Sequence, residues 1–279
     1  MALLDGKVAL VTGAGRGLGR SHALCLASHG ATVIVNDVGG AVVGGGRDES
    51  VAQSVAEEIR AAGGQAEADH TDISTITAAG EVVRHAVDAF GRLDIVVNNA
   101  GITRRVALVD LDDEVLDLHL GVHLKGTVGT MKAAFPVMAD QGGGSIVNTV
   151  SGAGLLPENP KTTGYATAKA AVYAATLVAA VEGHPLGIRV NAVSPLAVTR
   201  MSEAFFAQAA PGQAERLDPA RVSVVVAFLA SQLADGITGR ILRIEGEHLC
   251  EAHMTWTMGA EADWTPELLA ERIGEALNA

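Results

Sequence analysis

One short stretch, Thr12-Gly13-Ala14-Gly15-Arg16-Gly17-Leu18-Gly19, narrows the possible folds more than any other part of this chain. It follows the apolar run 8–11 and opens a run of apolar residues at helical spacing. Glycines at such a junction let the backbone turn sharply from strand to helix. They also let a pyrophosphate settle on the helix N-terminus, where unpaired N–H groups point outward. The strand before and the helix after set this stretch apart from an ordinary glycine-rich turn.

The rest of the chain repeats that alternation. Candidate strands at 8–11, 32–35, 65–68, 95–97, 145–149, 189–193 and 241–244, most of them rich in Val and Ile, alternate with helical patterns near 18–28, 51–62, 76–90, 115–138, 165–181 and 219–233. Strands that are continuously apolar belong to sheets covered on both faces. The expectation is an α/β fold, a doubly wound parallel seven-stranded Rossmann sheet with helices on both faces. No composition break divides residues 1–279, which read as one domain with a core at 5–246 and a tail at 247–279 covering the substrate or a subunit interface. Aromatics are 3% of the chain against 48% hydrophobic residues, so Ala, Val, Leu and Ile must fill the core. Loops at 38–48, 152–164 (with Pro157 and Pro160) and 195–218 fall beyond the carboxyl ends of strands, where ligands bind in such sheets. Met201, Phe205 and Phe206 in the last of them favour an apolar substrate, and Thr265-Pro266-Glu267 in the tail reads as a helix start.

A formal net charge of −12 argues against nucleic acid and anionic membrane surfaces as partners. Cys25 and Cys250 form no CxxC pair, the N-terminus has no secretory pattern, and no apolar run reads as long enough for a membrane span. A cytoplasmic location is expected. The nine histidines show no metal-ligand spacing, so no metal is expected.

Strand two ends at Asn36-Asp37. A carboxylate there can accept hydrogen bonds from the adenosine ribose of NAD and repels the extra phosphate of NADP. Arg16 is the opposing signal, since a guanidinium could pair with that phosphate. Asp37 lies nearer, so NAD is the expected cofactor.

Five motifs in order resemble the short-chain dehydrogenase/reductase family over residues 5–246. They are Gly13, Gly17 and Gly19; Asn98-Asn99-Ala100-Gly101; Ser151; Tyr165-Ala166-Thr167-Ala168-Lys169; and Asn191-Ala192-Val193-Ser194-Pro195. The resemblance implies alcohol–ketone interconversion by hydride transfer. The residues support this independently, because Tyr165 and Lys169 are four apart and share a helix face. A phenol is a poor base near neutrality, and a nearby ammonium with the positive nicotinamide ring should lower its pKa. Tyr165 then exchanges the alcohol proton. By resemblance, Lys169 also bonds the nicotinamide ribose and Ser151 the substrate oxygen as charge develops there. The resemblance further assigns Leu18 to the cofactor cradle, Asp72 and Ile73 to adenine, Asn99 and Gly101 to the adenosine ribose, and Pro195, Val198 and Thr199 to the carboxamide. Leu196 departs from the glycine usual after that proline.

Asn36-Asp37-Val38-Gly39-Gly40, the glycine-rich loop after it and Val122-His123-Leu124-Lys125-Gly126 narrow the resemblance. They are most similar to the (3R)-hydroxyacyl-CoA dehydrogenase domains of peroxisomal multifunctional enzymes, and to bacterial hydroxysteroid or hydroxyacyl dehydrogenases. The implied substrate is an apolar hydroxyacyl thioester, hydroxysteroid or alicyclic alcohol. An NADPH-dependent carbonyl reductase and a catalytically silent dinucleotide-binding protein are the alternatives. His123 stands where the family usually carries an asparagine that holds a water behind the lysine. As an imidazole it is expected to pass protons between Lys169 and solvent. Members of this size commonly form homotetramers through the helices at 115–138 and 165–181 and the last strand.

Overall fold

A computed structural model describes residues 2–156, 159–202, 206, 216–256 and 259–277, so Pro157 and Phe205 lie outside the described residues. The first strand, β1 (Val8–Thr12), is buried along its whole length, as a strand covered on both faces must be. It feeds the glycine turn and α1 (Gly17–Ser28). Then come β2 (Thr32–Asn36), α2 (Ser50–Ala61), β3 (Gln65–Asp69), α3 (Ile76–Phe90) and β4 (Ile95–Asn98). The second half holds α4 (Asp113–His119), α5 (Gly126–Asp140), β5 (Gly144–Thr149), α6 (Gly152–Leu155) and α7 (Thr163–Gly183). It closes with β6 (Ile188–Leu196), α8 (Pro219–Ala230), β7 (Ile241–Glu245), β8 (His248–Glu251) and α9 (Pro266–Leu277).

The sheet order is β3-β2-β1-β4-β5-β6-β7-β8. Chain direction reverses outward from β1 and β4, which opens the crevice at their carboxyl ends. Two apolar clusters fill the faces: Leu26, Val33, Val55 and Val226 on one, Ile34, Val83, Val96 and Ile146 on the other.

Four expectations change. The sheet has eight strands, not seven, because the tail turns back after Gly246 and β8 pairs antiparallel with β7, Arg243 opposite Cys250. The core sheet therefore runs past 246, and β7 is not its edge. The helical stretch 115–138 is continuous but not uniformly α-helical: α4 runs into α5 through a π-helical turn, Leu120–Lys125, which widens the helix at His123. Ser151 caps a short helix inside the loop 152–164, accepting from Ala153 N–H at 3.2 Å. Finally, Thr163–Leu186 is long and apolar enough to cross a membrane. Its apolar character has a core explanation, since α7 buries Ala168, Val172, Thr176 and Ala180 against the sheet.

His22 lies fully buried between α1 and α8, with Nδ1 2.8 Å from Ser223 Oγ and Nε2 without a partner. Burial lowers its pKa from 6.5 to about 3. Above pH 6.5 the ring is neutral in both folded and unfolded chains and costs nothing on this account. Below it, the unfolded chain takes up a proton that the folded one refuses, and stability falls by about 1.4 kcal/mol per pH unit. His22→Gln should flatten the decline in denaturant-measured stability between pH 6.5 and about 5. A variant whose stability falls as steeply as the parent's would remove His22 as the cause.

Candidate active site

A single large cavity, about 1510 Å³, opens at the carboxyl ends of β1, β4, β5 and β6. Ser151, Tyr165, Lys169 and His123 all line it, as do Gly13, Arg16, Gly17, Leu18, Gly19, Asp37, Asp72, Ile73, Asn99, Gly101, Pro195 and Thr199. Val198 is the expected site residue missing from that wall. Its amide donates instead to Leu217 O at 2.9 Å.

The nucleotide end is built by close backbone approach. A Cβ on Gly13 would come within 2.6 Å of Ala100 Cα, and one on Gly19 within 2.0 Å of Gly13 O. Gly17, at φ +53°, would meet only the Thr199 side chain, at 3.5 Å. The turn is thus tight on the protein side and open on the cavity side, a cradle that fits a dinucleotide pyrophosphate. Asn99 locks it, since Nδ2 donates to Thr12 O and Gly13 O at 3.1 Å each. Asp37 is held by two amides, accepting from Gly15 N–H at 2.8 Å and Gly39 N–H at 2.7 Å. Arg16 turns toward Gly40 O at 3.4 Å. Ile73 is buried beside Gly126, and Asp72 accepts from Ser74 N–H at 2.9 Å.

The glycine-rich loop roofs this end. Thr103 N–H donates to Val42 O at 2.8 Å, Arg104 Nε to Val43 O at 3.2 Å, and Gly44 sits against Leu118.

At the catalytic end, burial decides the electrostatics. Lys169, 4% exposed, donates to Thr149 O at 2.6 Å and lies 6.0 Å from the Tyr165 ring centre. Desolvation lowers its pKa from 10.5 to about 7. The same desolvation raises the Tyr165 pKa, against a hydrogen bond with Ser151 that lowers it. The expected lowering of the phenol by the lysine is therefore overridden in the protein alone, because a low-dielectric site penalises both charged forms.

His123 is fully buried and meets Tyr165 edge to face, ring centres 5.3 Å apart. Its Nε2 donates to Ile102 O at 2.9 Å, leaving Nδ1 buried without a protein partner. Burial, and then the Lys169 charge, hold its pKa well below 6.5. It therefore stays neutral where the sequence suggested titration near neutrality, and acts through hydrogen bonds rather than by carrying charge.

His119 escaped the sequence reading, though its spacing of four from His123 was a visible signal on a helix. Both of its nitrogens are engaged by backbone: Nε2 accepts from Arg104 N–H at 3.2 Å, so Nδ1 donates to Val115 O at 2.8 Å. Its ring stacks on His123 at 6.1 Å and faces Tyr165 at 6.4 Å.

Comparison with known proteins follows the same lines. The short chain dehydrogenase family model matches residues 7–210. A peroxisomal hydratase-dehydrogenase-epimerase of Neurospora crassa is 35% identical over 96% of this chain, which spans only 30% of that protein's length. A hydroxyacyl-CoA dehydrogenase of Mycobacterium tuberculosis is 39% identical, covering 97% of this chain and 88% of the relative. Among solved structures, a short chain dehydrogenase from Mycobacterium avium is 38% identical with a TM-score of 0.86, covering 99% of this chain and 96% of that one.

Tyr165→Phe keeps the ring and its packing but removes the proton-exchanging oxygen. NADH binding should survive while turnover, read as NADH absorbance, falls at least about a hundredfold. His123→Leu should slow turnover while sparing NADH affinity, and His123→Asn should largely retain it. Normal turnover in Tyr165→Phe would end the assignment of the proton-exchanging group, and normal turnover in His123→Leu would reduce that ring to packing.

Proposed function

The chain belongs to the short-chain dehydrogenase family, and from that premise we propose that it interconverts an alcohol and a ketone, oxidising or forming apolar 3-hydroxyacyl thioesters with NAD(H). The observation that supports the substrate reading is the apolar surface that Leu155, Leu156, Met201 and Phe206 contribute to the cavity lined by Ser151 and Tyr165. The name of the mycobacterial relative, a hydroxyacyl-CoA dehydrogenase, supports the thioester in particular.

When bound, the oxidised nicotinamide supplies the hydride acceptor and a positive charge beside Tyr165. Beside that charge Tyr165 gives up its own proton toward Lys169 and, as phenolate, takes the alcohol proton, helped by Ser151, which also bonds the substrate oxygen. Lys169, near its pKa at neutrality and anchored on Thr149 O, holds the ribose and restores the Tyr165 proton balance. In this reading His123, whose Nδ1 has no protein partner, continues this path by hydrogen bonding.

The NAD preference rests on Asp37, a carboxylate pinned at the end of β2 where a ribose phosphate would meet like charge. With NAD⁺, 3-hydroxyacyl-CoA thioesters should be oxidised faster than steroids or small alicyclic alcohols. Asp37→Ala should weaken NAD and improve NADP, with Arg16 released toward the phosphate. Faster turnover by the parent protein with NADP would overturn the cofactor reading, and turnover of steroids alone the substrate reading.

A homo-oligomer, a tetramer, is part of the same reading. Val178 and Val181 on the outer face of α7 are 58% and 76% exposed, apolar area that a second subunit would cover. Light scattering at micromolar concentration should give a multiple of the 28.5 kDa chain, and a monodisperse monomer would refute it.

A further inference from the structure

Both tyrosines of this chain lie on α7, and the second is not part of the chemistry. Tyr165, Lys169 and Tyr173 follow one another at spacings of four, so a single helix face carries all three. Tyr173 is 5% exposed, packed with Val150, Val172 and Ile241, with Ala252 of the tail against the same cluster. Its hydroxyl accepts a hydrogen bond from Met254 N–H at 3.2 Å.

Two further anchors hold the tail in line with that bond. Cys250 pairs with Arg243 in the sheet, and Ala252 N–H donates to Ile241 O at 2.8 Å. The segment 250–255 then lines the cavity, and Leu155, another lining residue, packs on the same cluster as Ala252 and Tyr173. Past Tyr173 the tail is left with apolar side chains in water: Met254 is 73% exposed and Trp256 97%. Exposed apolar area at the rim of a cavity is surface that a long apolar ligand covers.

We propose that Tyr173 is a positioning residue for substrate selectivity. Its hydroxyl holds segment 250–255 as the wall on which the apolar chain of a long 3-hydroxyacyl thioester lies, at a fixed offset from Tyr165 and Lys169. The proposal rests on the thioester reading above. Selectivity arises because a wall already ordered costs no further conformational freedom when the chain lands on it. Without the bond, the tail beyond Ala252 must be ordered by the substrate itself. An acyl chain too short to reach the tail is indifferent to that cost.

Tyr173→Phe removes the acceptor and keeps the ring in its cluster, while Met254→Pro removes the donor and leaves Tyr173 untouched. KM would be measured for 3-hydroxybutyryl-CoA and 3-hydroxypalmitoyl-CoA with NAD⁺. In both variants the long-chain KM should rise about fivefold relative to the short-chain KM, the effect of losing one neutral hydrogen bond. A rise shared equally by the two substrates, or absent from both, would overturn the proposal. If the parent protein oxidises neither thioester, the thioester reading falls. The same comparison with short and long secondary alkanols then decides the role of Tyr173 by the same ratio.

Discussion

A chain of buried amides and hydroxyls seats the catalytic helix on the sheet. Thr130 Oγ1 donates to Asn98 Oδ1 at 2.7 Å, Asn98 Nδ2 to Asn148 Oδ1 at 2.9 Å, and Asn148 Nδ2 to Thr176 Oγ1 at 2.9 Å. Thr176 passes the chain on to Val172 O at 2.7 Å. The line crosses from α5 through β4 and β5 into α7, and Asn98, Thr130, Asn148 and Thr176 are all buried. A slide of α7 by one residue would strand these groups in a place without water, at a cost of about 1–3 kcal/mol each. Apolar packing alone tolerates such slides more readily, and the polar chain is what sets the height of Tyr165 and Lys169 above the sheet.

Desolvation is the second constraint, and it acts together on the buried titratable groups around Tyr165. It holds Lys169, His123 and His119 toward their neutral forms and Tyr165 toward its phenol. The resulting site carries little fixed charge of its own. A positive charge entering such a cavity has a large effect on the phenol, because a buried group is screened less than an exposed one. The two stacked histidines are spacers as much as polar groups. His119 is locked by backbone on both nitrogens, and His123 fits only because residue 101 is a glycine: a Cβ there would stand 2.6 Å from its Cε1.

The two ends of the cavity are also joined mechanically. The glycine-rich loop rests through Val42 and Val43 on Thr103 and Arg104, and the Arg104 amide is the donor to His119. Contacts that roof the nucleotide end therefore continue, through one peptide unit, into the ring beside Tyr165. The π-helical turn at Leu120–Lys125 serves the same junction, since it rotates His123 relative to a regular α-helix.

The sequence alone carried the parts of this protein that depend on local spacing. Glycines at a strand–helix junction, Tyr165 and Lys169 on one helix face, and the Asp37 carboxylate at a strand end follow from periods of two and 3.6 residues. They are readable without knowing what packs where. The tail's strand was not readable, because β8 exists only through pairing with β7, and nothing in His248–Glu251 signals which edge it will meet. Tyr173 had a readable spacing but no readable partner until Met254 was brought to it. The protonation of the site lay furthest from the sequence. Residue types set the reference pKa values, but the direction of each shift comes from burial, and burial belongs to the assembled fold.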